Sequence, residues 1–248
     1  MKEKMISITS YPENTNCIEI ANSENICIEL NEFVYLNMED IDFKSRLEKK
    51  YDMKIVNSAH GPFWDLIPAT IDKDMRKFVF AKIKKSINTA YELGIHNIVF
   101  HSGWFPKCYS RKTWIDNTCS FWNEILGEIS SSMNVFIENV YDEIPDYMAE
   151  LLIKINKPNI GICLDIGHAN ANTKIDLREW IDTLNKNIGH VHIHNNYGEN
   201  DEHNGLTKGN IDIPETIQYL KEKGNVRTWN LEVKNNFKES IKMIKELS

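Results

Sequence analysis

The sequence lacks any apolar run approaching the ~18 residues that a membrane-spanning helix needs. Its first 13 residues carry Lys and Glu and no long apolar stretch, so they do not read as a secretory leader. Cysteine is sparse and unpaired in pattern: Cys17, Cys27, Cys108, Cys119 and Cys163 are odd in number, and no two stand as Cys-x-x-Cys. That argues against a disulfide framework and against a thiolate zinc knot, and the expectation is reduced thiols in a cytoplasmic protein. Cys163 lies inside an apolar strand pattern and reads as a small core residue. Basic excess is also missing, since 29 Lys and Arg face 36 Asp and Glu for a net charge of −7. Such a chain is a poor general partner for nucleic acid or an anionic membrane. No Pro/Gly/Ser-rich linker and no low-complexity tract divides the chain, so one domain over residues 1–248 is expected, long enough to bury a large core.

What the sequence does contain is alternation. Short apolar, β-branched runs are expected as strands over residues 5–9, 26–30, 54–59, 97–101, 134–138, 159–165, 190–194 and 228–233. Several are continuously apolar, as parallel strands covered on both sides should be. Between them, helical spacing marks residues 74–93, 114–130, 144–155, 177–185, 214–223 and 237–247, with a weaker pattern over 12–23. In the first of these, Met75, Phe78, Val79, Ile83, Ile87 and Ala90 recur at helical intervals before Gly94. Eight strand–helix units in a chain of this length predict an α/β fold, a single (β/α)8 TIM barrel.

The polar residues of these strands fall at one station. His60 follows Ala59, and His101 ends Val99-Phe100-His101. Glu138 ends Phe136-Ile137-Glu138, Asp165 ends Cys163-Leu164-Asp165 with His168 three residues on, and Glu232 sits in Leu231-Glu232-Val233. Strand seven carries His190, His192 and His194 on one face. Carboxyl ends of barrel strands converge on the active-site face. A lone strand-end His is more often a satisfied structural residue than a ligand, and Asp165 could simply cap the helix that follows it. Six consecutive strands aiming His or carboxylate at one volume are another matter, because burying so many uncompensated polar groups is costly unless something pairs them. Asp201-Glu202-His203 adds an Asp-x-His loop, whose two outer side chains can reach the same ion. Imidazole with carboxylate suits zinc, with manganese or iron as alternatives.

Taken in order, His-Gly-Pro-Phe, Val-Phe-His-Ser-Gly, Ile-Glu-Asn, Cys-Leu-Asp-Ile-Gly-His-Ala, His-Ile-His-Asn, Asp-Glu-His and Leu-Glu-Val resemble the xylose-isomerase-like TIM barrel superfamily. That superfamily joins sugar isomerases and epimerases with endonuclease IV (AP endonuclease family 2). Resemblance to the endonuclease implies three ions: one on His60, His101 and Glu138; one on Glu138, Asp165, His192 and Glu232; one on His168, Asp201 and His203. His192 is preferred over His194 because the family ligand stands three residues before a polar position, here Asn195. Resemblance to the isomerases implies a single ion on Glu138, Asp165, His192 and Glu232, with the two glutamates as acid and base and His168 touching substrate. Phe63, Trp64 and Trp104 follow the strand-end histidines, where resemblance to the endonuclease implies residues that probe a duplex; they read equally as the apolar wall of a small-substrate pocket or as loop packing.

Two reactions fit. Clustered zinc ions, two or three of them, would clamp the oxygens of an in-line phosphoester hydrolysis. One ion with Glu138 and Glu232 would move a proton in aldose–ketose isomerisation or epimerisation. The nine-ligand count favours the hydrolase, acting on a sugar-phosphate-like group. The acidic charge, and the absence of Arg and Lys from residues 31–42, disfavour DNA as substrate. The sequence does not fix an oligomeric state.

Overall fold

The computed structural model describes residues 5–11 and 16–247. Eight parallel strands close into a barrel in chain order: β1 (Met5–Thr9), β2 (Cys27–Leu30), β3 (Val56–His60), β4 (Asn97–His101), β5 (Asn134–Glu138), β6 (Ile160–Asp165), β7 (Ile188–Ile193) and β8 (Thr228–Leu231). β8 pairs back onto β1 through Ile6↔Trp229 and Ile8↔Leu231. The helices between them are α1 (Cys17–Glu24), α2 (Phe43–Lys50), α3 (Lys73–Glu92), α4 (Arg111–Glu128), α5 (Asp146–Ile155), α6 (Ile166–Asn172), α7 (Leu177–Leu184), α8 (Ile213–Lys223) and α9 (Phe237–Leu247). Of the helix expected over residues 12–23, residues 12–15 lie outside the described residues, and the remainder falls in α1.

Two helices were not expected. α2 is short and strongly charged, FKSRLEKK, and buries only Phe43 and Leu47, which leaves almost no apolar stripe to detect. α6 starts directly after the last residue of β6, where no helical spacing was marked although Asp165 was weighed as a possible cap. α3 behaves as its spacing requires: Val79, Ile83, Ile87 and Ala90 are buried, the Asp72 carboxylate accepts from the amides of Asp74 and Met75, and Gly94 follows at φ +78°. Met75 and Phe78, which fit the same spacing, are nearly half exposed on its first turns.

Strand alternation separates two environments. Ile8, Ile28, Leu30, Ile98, Phe100, Ile137, Leu164, Val191 and Trp229 pack in one core with the helices. On the other face of the same strands stand Ser7, Glu29, Ser58, His60, Glu138, Asp165, His190, His192 and Asn230, all buried. Val99, Phe136 and Cys163 form a small separate apolar cluster among them. Gly161 and Gly189 leave room for the Phe136 ring, since a Cβ at Gly189 would stand 2.7 Å from it. The barrel interior is thus mostly polar, with this small apolar cluster set among the polar side chains.

Candidate metal centre

The structure brings all nine expected donors to the carboxyl end of the barrel in three adjoining groups. His60, His101 and Glu138 form one; Glu138, Asp165, His192 and Glu232 a second; His168, Asp201, His203 and also His194 a third. Within each, the donor atoms lie within 4.8 Å of one another. Glu138 joins the first two, with Oε2 2.9 Å from His60 Nε2 and Oε1 3.1 Å from His192 Nδ1. His101 stands 3.6 Å from the same carboxylate.

The ring orientations matter more than the proximity. His60 donates Nδ1–H to the Gly61 carbonyl at 2.9 Å. His168 donates Nδ1–H to the Asn139 carbonyl at 2.9 Å, and His203 to the Glu232 carbonyl at 2.7 Å. A carbonyl can only accept, so in each ring Nδ1 carries hydrogen, while Nε2 of His60 faces Glu138 and Nε2 of His168 and His203 faces Asp201. Metal-ligating histidines are held in this way, one ring nitrogen on an outer acceptor and the other free for the ion. His192 is turned the other way round, with Nε2 donating to Glu29 and Nδ1 facing Glu138, Asp165 and Glu232 at 3.1, 3.9 and 3.5 Å.

Asp165 meets both of its sequence readings. Its Oδ1 accepts from the His168 amide at 2.7 Å and so caps α6. Its Oδ2 is buried with no hydrogen-bond partner, as are both ring nitrogens of His194. Asn139 holds the Asp165 backbone at both ends, Nδ2 to the carbonyl and Oδ1 from the amide, each at 2.9 Å. Orphaned buried donors and acceptors at the centre of a carboxylate–imidazole cluster are what a bound cation would satisfy, so the residues present fit a divalent ion.

The electrostatics agree. Burial pushes the Glu138 carboxyl up, but the charge of His192 and hydrogen bonds from His168, His192 and His60 outweigh it and hold the group well below the usual range. Asp165 is likewise depressed, burial being outweighed by His168 and His194. Burial pushes His168 and His192 down, yet their acidic neighbours raise both well above an ordinary imidazole. His101 alone yields to burial, which pushes it down to about 3 and leaves it neutral.

Above the cluster opens a cavity of about 550 Å³. Phe63 lines it and stacks on His101, ring centroids 4.4 Å apart. Trp64 stands at the mouth, 70% exposed. Trp104 also lines it but is buried, its ring packed on Trp114 and Tyr147. Among the described residues, Lys234 is the sole Lys or Arg along this lining. A second cavity of about 540 Å³, beside Arg178 and Tyr219, has no His or Cys among the described residues that line it.

Two buried residues of the region escaped the sequence argument. Glu29 of β2 stands beneath His192 and His190. A carboxylate inside the apolar run Cys27-Ile28-Glu29-Leu30 was the available signal. His194 was weighed only as a substitute for His192; the structure places both in the cluster, in different groups.

Comparison with known proteins gives three results. The family model of the xylose isomerase-like TIM barrel matches residues 17–247. An uncharacterized protein of Methanocaldococcus jannaschii, MJ1311, is 34% identical over 212 residues, covering 81% of this chain and 71% of that protein. Among solved structures, a D-tagatose 3-epimerase-like protein is 27% identical with a TM-score of 0.76, covering 98% of this chain and 96% of its own. The TTHB071 protein of Thermus thermophilus, studied with ZnCl2 soaking, is 20% identical with a TM-score of 0.77, covering 100% of this chain and 98% of its own; it shares the fold.

Proposed function

The chain belongs to the xylose isomerase-like TIM barrel family, and from that premise we propose that it is a divalent-metal-dependent isomerase or epimerase of a sugar or sugar phosphate. One observation carries this reading: Glu138, Asp165 and His192 of β5–β7 and Glu232 just after β8 offer donors within 4.8 Å of one another at the end of the barrel, and both glutamates line the cavity. The likeness to a D-tagatose 3-epimerase-like protein supports it over phosphoester hydrolysis, which the ligand count alone favoured. An ion held by these four residues would supply Lewis-acid polarisation of adjacent substrate oxygens.

The chain's own residues do the rest. Glu138, kept ionised by its histidine neighbours, is the base that removes a carbon-bound proton. Glu232, whose Oε1 accepts from Thr9 Oγ1 at 3.2 Å, faces the same cavity and returns or receives the proton. His168 holds a substrate oxygen. Phe63 and Trp64 offer flat apolar faces for a sugar ring and narrow the access of water. With Lys234 the sole Lys or Arg among the described residues of the lining, the cavity suits one anionic group better than a duplex backbone, which needs several such contacts.

A second reading rests on a separate observation. The groups His60, His101, Glu138 and His168, His194, Asp201, His203 exceed what one ion requires and support a multi-zinc phosphoester hydrolase. Elemental analysis of chelator-free protein, run beside ketoses, ketose phosphates and bis-p-nitrophenyl phosphate, separates the two. The isomerase reading expects turnover of a ketose or its phosphate that falls by a factor of ~100 or more in Glu138→Gln. Two or three ions per chain with diester hydrolysis and no ketose turnover would overturn it.

A further inference from the structure

Glu29 sits on the interior face of β2, fully buried, one layer below the cluster. Its Oε1 accepts from His192 Nε2 and from Asn230 Nδ2, each at 2.9 Å. Its Oε2 accepts from Ser58 Oγ at 2.7 Å, and His190 Nε2 approaches it to 2.9 Å without hydrogen-bond geometry. Asn230 is held in turn by Ser7 at 2.9 Å and donates to Thr9 at 2.8 Å, and Thr9 donates to Glu232. The carboxylate is therefore fixed by groups on β1, β3, β7 and β8 and has no path to solvent through which to reorient.

His60, His168 and His203 each rest on a backbone carbonyl. Where those three have a carbonyl behind the ring, His192 has a carboxylate that is not itself one of the nine donors, and His192 is the one histidine in the group of four that carries the proposed chemistry. A carboxylate behind an imidazole fixes its tautomer and raises its basicity as a ligand, which a carbonyl does more weakly. Burying that negative charge is costly unless it is paired, so its presence here calls for a partner that needs it.

We propose that Glu29 is a positioning residue for the metal: it holds the hydrogen of His192 on Nε2, so that Nδ1 faces Glu138, Asp165 and Glu232 with its lone pair, and it strengthens that nitrogen as a donor to the ion. This rests on the metal reading above and not on which reaction the ion serves. It explains why an acidic residue stands in the middle of an apolar strand and why β2, which supplies none of the nine donors, still bears on the site.

The test uses Zn2+ alone, with no substrate. Nitrogen-15 NMR of histidine-labelled, Zn2+-loaded protein reads the tautomer, the His192 signals being those lost in His192→Asn. The expected state is hydrogen on Nε2 with Nδ1 bound to the ion. Glu29→Gln can still accept from Nε2–H through its amide oxygen, so the tautomer should persist while Zn2+ affinity, by chelator competition, falls ~10-fold; Glu29→Ala should lose ~100-fold and show mixed tautomers. Hydrogen on Nδ1 in the wild type, or wild-type affinity in a folded Glu29→Gln, overturns the proposal while leaving the metal reading intact. Should Glu29→Ala not fold, the wild-type tautomer and the Glu29→Gln affinity decide. A wild type that binds no ion overturns both.

Discussion

Single residues at the barrel mouth divide into those held by charge and those held by burial. Asp142 belongs to the second kind. Its Oδ2 accepts from Ser102 Oγ at 2.7 Å and from the Val140 amide at 3.0 Å, while Oδ1 is buried without a partner. Burial pushes the carboxyl up to about 6, more than those hydrogen bonds lower it. The folded state therefore keeps this proton after the unfolded chain, whose value is about 3.9, has lost it. Stability from this group is complete below the unfolded value, drains away as pH rises towards 6, and is flat above. At ~1.4 kcal/mol per unit the loss is on the order of 2–3 kcal/mol. Asp142→Asn removes the proton from the balance while keeping the acceptor. Urea midpoints of metal-free wild type and variant should then diverge with pH between about 4 and 6, the variant gaining relative to wild type. A gap between the curves that does not change with pH would refute this account. Strand-end positions made Glu138 and Asp165 legible in the sequence. Asp142 and Glu29 were not, because their roles depend on what packs around them, and no spacing rule reports that.

Elements divide along the same line. The strands were readable because parallel barrel strands carry their apolar residues outward in runs, and all eight ended within two residues of where those runs stopped. The last two differed most: β7 begins at Ile188, two residues early, and closes at Ile193, leaving His194 just beyond it, and β8 closes at Leu231, leaving Glu232 just beyond it. The helix α6 was hidden because its residues Ile-Gly-His-Ala continue the apolar run of β6, and only the cap geometry at Asp165 starts it. Gly167 in its first turn has a packing reason. A Cβ there would stand 1.9 Å from His194 Cε1 and 2.3 Å from Nε2. The His194 ring cannot retreat freely, since it is fully buried and stacked on His203 at 4.0 Å. His203 in turn holds Asp201 through Nε2 at 2.9 Å. Gly167→Ala should therefore cost ~1–3 kcal/mol as an overpacked site. It should also weaken binding of whichever ion uses the His168, His194, Asp201 and His203 group. Thermal unfolding with and without Zn2+ checks both, and an unchanged midpoint in both conditions would show that α6 shifts to make room.

At the scale of the whole molecule, the barrel interior is a store of opposed charge that something must balance. Without an ion the balance comes from protons. Burial notwithstanding, His60 and His168 are raised above an ordinary imidazole by the carboxylates around them, and His192 by Cys163 together with Glu232, Glu138 and Glu29. A histidine raised in this way contributes stability that is complete below its unfolded value near 6.5 and is lost as pH rises through the folded one. An ion can enter only as these protons leave, because imidazole ligates in its neutral form. The two stabilisers therefore trade places with pH: protons hold the cluster in mildly acidic solution, and the ion holds it in mildly basic solution. Metal binding to the folded state alone adds about 2.7 kcal/mol at a hundredfold excess over Kd. A domain of this size gains roughly 2–4 °C per kcal/mol. With Zn2+ held at one concentration, the rise in Tm over chelated protein should be small at pH 6 and grow to several degrees by pH 8. The chelated protein should itself lose stability across the same interval. Proton release measured by titrating Zn2+ into weakly buffered protein should exceed one per ion near pH 7. A Tm increment that is the same at pH 6 and pH 8 would mean that the histidines are already neutral in the metal-free barrel, and that the depressed carboxylates of Glu138 and Asp165 owe their charge to something other than their imidazole neighbours.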